Sequence, residues 1–221
     1  MKTISVLLIL GLPAAAQVAA EANKRYQTVE GRMGMLANLG APDRAVRLQG
    51  QRIVEVLGLR PGMTVADIGT GGGAMLPLLS AAVGATGKVV AQDIFADFLE
   101  AARKKAAEEK LSNVDFVLGN ERDSKLPAGC CDLAVTIDAY HHFDYPGETL
   151  ASIRRGLKPG GRLVIVDYYK RPGAMSGVDA VEHVRLDMDD AIREVESFGF
   201  RLLEKREHVK GSQWIGFFTP R

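Results

Sequence analysis

Three groups of residues could do chemistry by their type and spacing. The first is Asp67-Ile68-Gly69-Thr70-Gly71-Gly72-Gly73, where an acid closes a β-branched apolar run and four glycines follow in five positions. Glycine permits a tight turn and a close backbone approach. A strand, a glycine turn and a helix N-terminus together leave N–H groups around a space that no side chain fills, so a small polar ligand is expected there. Read as Gly69-x-Gly71-x-x-Ala74, with Asp93 near the distance of a ribose-binding acid, the letters satisfy the loose dinucleotide fingerprint. Read as Asp67-x-Gly69-x-Gly71-x-Gly73, they form a second pattern, and the rest of the chain must decide between the two.

The second group is Asp138-Ala139-Tyr140-His141-His142-Phe143. A histidine at the C-terminal end of a strand can serve as a general base, so His141 and His142 are candidate catalytic residues, or they only shape a pocket. Tyr140, Tyr168 and Tyr169 either line an acceptor pocket or pack as core aromatics. The third group is Cys130-Cys131. Neighbouring strand residues point to opposite faces, so the pair is expected neither to share a metal nor to form an unstrained disulfide. Zinc spacing is absent, and no metal ligand set is expected.

The elements that must hold these groups alternate from Met63 onward, the pattern of a parallel sheet covered on both faces. Strands are expected at 65–68, 88–93, 114–118, 132–138 and 162–167. Helices are expected at 74–83, with Pro77 in the first turn, at 95–110 with Phe98, Leu99 and Ala102 inward, and at 145–157. Upstream, Pro42-Asp43 opens a helix with Val46, Ile53, Val54 and Leu57 at helical spacing until Gly58 and Pro61 stop it. That segment either covers the mouth of the glycine-turn site or packs on one face of the sheet. Downstream, Asp187 caps a helix to Phe198 that carries an acid at its third position. Residues 200–208 and 213–219 then form an antiparallel hairpin about Lys210-Gly211-Ser212.

Residues 1–20 stand apart. Lys2, the apolar run Ile4–Leu12 and small residues up to Ala20 read as a secretory signal, cut before Glu21 and too short to span a bilayer. Export, in bacteria to the periplasm, is the expectation; a misplaced start codon would leave the chain cytoplasmic. The 221 residues carry 28 basic and 27 acidic side chains, and losing Lys2 with the signal leaves 27 of each. That balance gives no charge-driven nucleic-acid partner. Residues 21–60 form a helical lead-in, and 61–221 form the main domain.

Over residues 44–219 the ordered motifs resemble those of class I S-adenosylmethionine-dependent methyltransferases. They are Val65-Ala66-Asp67-Ile68-Gly69-Thr70-Gly71-Gly72-Gly73, the acid closing strand two, a polar residue after strand three, the 138–143 segment, Leu157-Lys158-Pro159-Gly160-Gly161-Arg162-Leu163, and Gly199-Phe200. The resemblance implies an α/β fold of three Rossmann-like layers, with a mostly parallel seven-stranded sheet ending in an antiparallel C-terminal hairpin. It also implies S-adenosylmethionine as methyl donor. Asp67, Gly69, Thr70, Gly71 and Gly73 would then take its amino-acid tail, with the Asp138 backbone on the opposite side. Asp93 would accept from the ribose hydroxyls, unless it only caps the next helix. Ile94 and Leu118 would touch the adenine. Asn120, beside Glu121, would accept from the adenine amino group or else stabilise its loop. The implied partner is a small-molecule methyl acceptor. Two other readings stay open: an exported protein that binds the nucleoside without turnover, and a nicotinamide-dependent oxidoreductase.

Overall fold

The structure, a computed structural model, describes residues 18–221. The expected signal therefore lies outside the described residues, apart from its last three. Among the described residues no helix is long and apolar enough to cross a membrane.

Seven strands form one sheet: β1 (Thr64–Ile68), β2 (Lys88–Asp93), β3 (Val114–Leu118), β4 (Cys131–Ile137), β5 (Leu157–Tyr168), β6 (Phe200–Val209) and β7 (Gln213–Pro220). Their order is β3-β2-β1-β4-β5-β7-β6. The first five run parallel, and β7 pairs antiparallel with both β5 and β6. The helices are α1 (Ala20–Asn23), α2 (Val29–Leu39), α3 (Arg44–Arg47), α4 (Gly50–Leu57), α5 (Leu76–Val83), α6 (Ala96–Glu108), α7 (Pro146–Gly156), α8 (Ala180–His183) and α9 (Met188–Ser197).

Because strand side chains alternate, successive residues feed two cores. Val65, Val89, Leu133, Val135 and Val164 pack beneath α4 and α5, against Ile53, Leu57, Leu76 and Leu79. Ala66, Val90, Ala134, Leu163 and Ile165 face α7 and α9, against Leu150, Ile153, Ile192 and Val195. A fully buried leucine such as Leu57 contributes roughly 1.5–3 kcal/mol by leaving water. The edge strand β6 exposes Glu204, Lys205, Arg206 and Glu207, charges that discourage pairing with another sheet. Strand order reverses between β1 and β4, which opens a crevice at the carboxyl ends of the parallel strands.

The expected single helix from Asp43 to Leu57 is two helices. Gln49 adopts φ 51°, which breaks the run after α3, so Val46 points to solvent and Leu48 takes its place in the core. Strand β5 begins earlier than expected, at Leu157, so that it takes in the Lys158–Gly161 stretch, with a pairing irregularity between Cys131 and Leu133 of β4. For the cysteines only the premise of opposite faces fails: Cys130 precedes β4, and the two sulfurs lie 2.7 Å apart. Both are free thiols. Asp187 occupies the N-cap of α9, but its carboxylate accepts from the Lys170 N–H (3.1 Å) instead of from the helix.

Candidate functional site

The crevice is lined from the ends of β1, β2 and β4 and from the segment before β1. Gly69, Gly71 and Gly73 all adopt positive φ (76°, 54° and 77°). At Gly69 a Cβ would sit 2.8 Å from that of Ala139, so the bend after β1 and the bend after β4 can touch only without a side chain. Four of the N–H groups expected to be unpaired in the loop have partners within the protein. Gly69 and Thr70 donate to the Gln92 carbonyl (both 2.9 Å), Gly73 donates to Thr70 (3.0 Å), and Gly71 donates to Asp93 Oδ2 (2.9 Å). Three of these four are taken by β2, through the Gln92 carbonyl and the Asp93 carboxylate, so they are not free for an anionic ligand.

Asp67 fixes the turn by accepting from Thr70 Oγ1 (2.8 Å). Asp93 holds Gly71 with one oxygen and the Phe95 N–H (3.1 Å) with the other, so it closes the turn that leads into the next helix, without capping that helix, and still faces the cavity. Burial pushes both carboxyls up to about 6, against the opposing hydrogen bonds from Thr70 and from the Gly71 and Phe95 backbone. Asn120 and Glu121 also line the cavity. Asn120 Oδ1, however, accepts from the Arg122 and Asp123 N–H groups (both 2.9 Å), which leaves its amide hydrogens rather than its oxygen for a ligand. Ile94 lines the cavity, and Phe95 and Phe98 stand where Leu118 was expected; Leu118 is exposed.

The lead-in does both of its possible jobs. Helix α4 packs on the sheet, while residues from α1 to α3 cover the crevice. Leu39 lies over Gly71, and the Gly40 backbone lies so close to Gly72 that a Cβ there would meet it at 2.9 Å. The Tyr26 ring stacks on Phe95 and meets His142 edge-on. Arg32 pairs with Asp97 (2.7 Å). Arg44 pairs with Asp138, whose backbone sits at φ 55° at the end of β4. Burial opposes the charge on Arg44, yet the adjacent Asp138 holds it firmly protonated.

Of the two candidate histidines, only His142 lines the cavity. Its Nδ1 bonds Asn23 Oδ1 (2.8 Å), while Asn23 Nδ2 donates to the His142 carbonyl (2.9 Å). Burial and the neighbouring His141 and His183 hold it well below the ordinary imidazole value, so it stays neutral. His141 is buried behind it. Its backbone N–H and its Nδ1 both engage the Asp167 carboxylate (2.9 and 2.7 Å). Burial disfavours charge on this ring too, but Asp167 outweighs it and raises the value.

None of the three tyrosines borders the cavity. Tyr140 points into the core and donates to Glu194 (2.5 Å). Tyr169 is buried with Arg171 over its ring. The Tyr168 carbonyl accepts from the Trp214 indole (3.1 Å). Sequence reasoning missed Tyr26, Arg44, Asp167 and His183. For Asp167 a signal existed: Asp67, Asp93, Asp138 and Asp167 each stand at the carboxyl end of a parallel strand.

The lining is strongly one-signed. Asp67, Asp93, Glu121, Asp138 and Asp144 face the same cavity, and among the described lining residues Arg44 is the one cation. Such a surface favours a positively charged ligand over a pyrophosphate.

Residues 66–165 match the family model of the methyltransferase domain. The chain is similar to a SAM-dependent methyltransferase from Aquifex aeolicus, with a TM-score of 0.77 and 28% identity over 84% of this chain and 96% of that one. It is 34% identical over 125 residues to the ubiquinone/menaquinone biosynthesis C-methyltransferase UbiE of Pseudomonas aeruginosa, covering 56% of this chain and 49% of the relative. An uncharacterized 37.1 kDa transposon protein of Streptomyces fradiae is 36% identical over 51% of this chain and 32% of its own length. The chain thus matches half or less of the length of these two relatives. The cyclase SpnF, at 20% identity and a TM-score of 0.67 over 87% of this chain and 76% of its own, shares the fold alone. Sheet order, antiparallel C-terminal hairpin, acidic cavity and matched domain agree: the chain carries a class I S-adenosylmethionine-dependent methyltransferase domain.

Proposed function

We propose that the protein transfers a methyl group from S-adenosylmethionine to a small acceptor that enters beside Tyr26, His142 and Phe143. The observation that carries this reading is the acidic cavity around a glycine loop in which Gly69, Thr70, Gly71 and Gly73 already have partners for their N–H groups. Bound there, the donor supplies a methyl group on a positively charged sulfur, activated for displacement.

The chain's own residues would work by binding and alignment. Asp67, through Thr70, holds the bend, and Asp93 keeps a lone pair on each oxygen for the ribose hydroxyls. Phe95, Phe98 and Ile94 form the apolar wall for a flat base, and Asn120 offers its amide hydrogens to ring nitrogens. Leu39, Arg44 and Tyr26 close the cavity against water. In-line transfer needs chiefly proximity and orientation, each able to lower the barrier by several kcal/mol. A neutral, poorly basic His142 suits a wall residue better than a strong base.

Incubating the purified chain with methyl-labelled donor and a panel of phenols, thiols, amines and quinols tests the reading. Label transferred to a small acceptor supports it. Tight donor binding with no transfer to any class supports storage instead.

We further propose that the chain is exported and keeps Val18 and Ala19 after processing. Ala19 is buried, and its N–H donates to Asp144 Oδ1 (3.2 Å), which supports a cut upstream of the one expected before Glu21. The intact mass of the protein from its host tests both points: an unprocessed chain sinks the first, and a start at Glu21 sinks the second.

A further inference from the structure

Beside the acceptor end of the cavity, three imidazoles converge from two distant parts of the chain. His141 and His142 follow β4, and His183 ends α8. One nitrogen of each ring lies within 4.8 Å of the other two. We propose that His141, His142 and His183 form a three-nitrogen site for a divalent cation of the zinc type, with a fourth position open next to the cavity. The inference concerns metal binding and does not rest on methyl transfer.

The distances are those a metal imposes. Zinc holds imidazole nitrogens at about 2.0–2.1 Å, so two ligands at a tetrahedral angle stand about 3.3 Å apart. His141 Nε2 and His183 Nε2 are 3.3 Å apart. The same geometry separates ring centres by roughly 5 Å, and the His183 ring lies 5.0 Å from His141 and 5.2 Å from His142. The adjacent His141 and His142 rings are closer, at 4.1 Å, and must open slightly.

Orientation is built in on the outer side of two rings. Asp167 takes the Nδ1 hydrogen of His141, and Asn23 takes that of His142, which leaves Nε2 on each ring as a bare lone pair. A carboxylate or carbonyl behind a ligating histidine is the usual means of fixing its tautomer and raising its basicity. Asp167 and Asp138 both lie beside His141 and offset a cation's charge. Arg185, the nearby buried cation, is held by both oxygens of Glu194 (2.6 and 2.8 Å), and Arg25 beside His183 is exposed. His142 and His183 are only half-buried, so an ion has a way in. Three imidazoles with an open position are the donor set of a reactive zinc site, whereas structural sites are closed by four protein ligands.

The competing account is a bare hydrogen bond, with His183 donating to His141 Nε2. Calorimetry separates the two, using untagged full-length protein stripped with chelator and titrated with zinc, alongside cobalt absorption as a reporter of tetrahedral nitrogen ligation. We expect one ion per chain and an intense visible cobalt band. His183→Ala should weaken zinc by at least about 100-fold, and Asp167→Asn or Asn23→Ala by roughly 10-fold or more. His183 lies outside the donor cavity, so donor affinity should persist in His183→Ala and report that the variant is folded. Absence of zinc and cobalt binding by folded protein overturns the inference, as does binding that His183→Ala leaves unchanged. Donor binding measured on the same sample is a separate result, so failure of the metal site does not touch the donor reading.

Discussion

Asp93 reaches back across the sheet and accepts the amide hydrogen of Gly71 at 2.9 Å, so one carboxylate ties the end of β2 to the turn after β1. Asp93→Ala removes that acceptor and the one for Phe95, leaving two N–H groups unpaired. Each should cost about 1–3 kcal/mol of stability. Donor affinity should fall ~100-fold, from about 1.5 kcal/mol for each of two charge-assisted bonds to the ribose. Thermal melts and calorimetry check this. A lower melting temperature with unchanged affinity would make Asp93 purely structural.

Binding should depend on pH in a defined direction. Burial raises Asp67 and Asp93 to about 6, above the ~3.9 of an unfolded aspartate. In the free protein the folded state therefore holds more protons than the unfolded chain between about pH 4 and 6, and the stability these two groups contribute falls as pH rises through that window. His183, depressed to about 4, acts in the opposite sense, since its share is lost as pH drops from about 6.5 toward 4. Melting curves mix the two effects. Donor affinity isolates the carboxylates: a cation prefers them ionised, so affinity should rise as pH passes about 6 and level off above about 7. Calorimetry from pH 5 to 8 should also show proton release at the acid end. Affinity that is flat or falling across pH 5–7 would contradict this electrostatic account.

Two glycines should respond oppositely to alanine. At Gly69 the φ of 76° and the 2.8 Å approach to Ala139 make Gly69→Ala destabilising by about 1–3 kcal/mol, with loss of donor binding. At Gly34, within α2, a Cβ meets nothing within 4 Å, and Gly34→Ala should stabilise by up to ~1 kcal/mol. Paired chemical denaturation checks the contrast.

Arg44 and Asp138 form an ion pair whose side chains are only 10% and 12% exposed. Arg44→Met leaves a buried carboxylate alone and should cost about 3 kcal/mol, while Arg44→Met with Asp138→Asn should recover much of it. A double-mutant cycle by denaturation measures the coupling. Additive losses would mean that the pair does not hold the cover.

Much of the sheet was legible because period-two alternation and glycine turns are local signals. Strands β2 and β3 have the expected bounds, and the hairpin gave away the antiparallel end. The break at Gln49 was not legible, because nothing in Leu48-Gln49-Gly50 forbids a continuous helix. Tyr140 shows the limit at the site: its place after β4 says that it is near the crevice, but only packing against Glu194 shows that it turns away. The histidine cluster was half visible. His141 and His142 announce themselves, whereas His183 and Asn23 join them across 42 and 119 residues of sequence, and no spacing rule spans such gaps.

The central claim is that the acidic crevice around Gly69–Gly73 takes a sulfonium nucleoside. Calorimetric titration of the folded protein at pH 7.5, well above the value of about 6 for both carboxyls, with S-adenosylmethionine, its demethylated product and the two nicotinamide dinucleotides tests it directly. The account predicts one site for the first two ligands and no heat from the dinucleotides. Dinucleotide binding in place of S-adenosylmethionine, or no binding of the nucleoside at all, would contradict it.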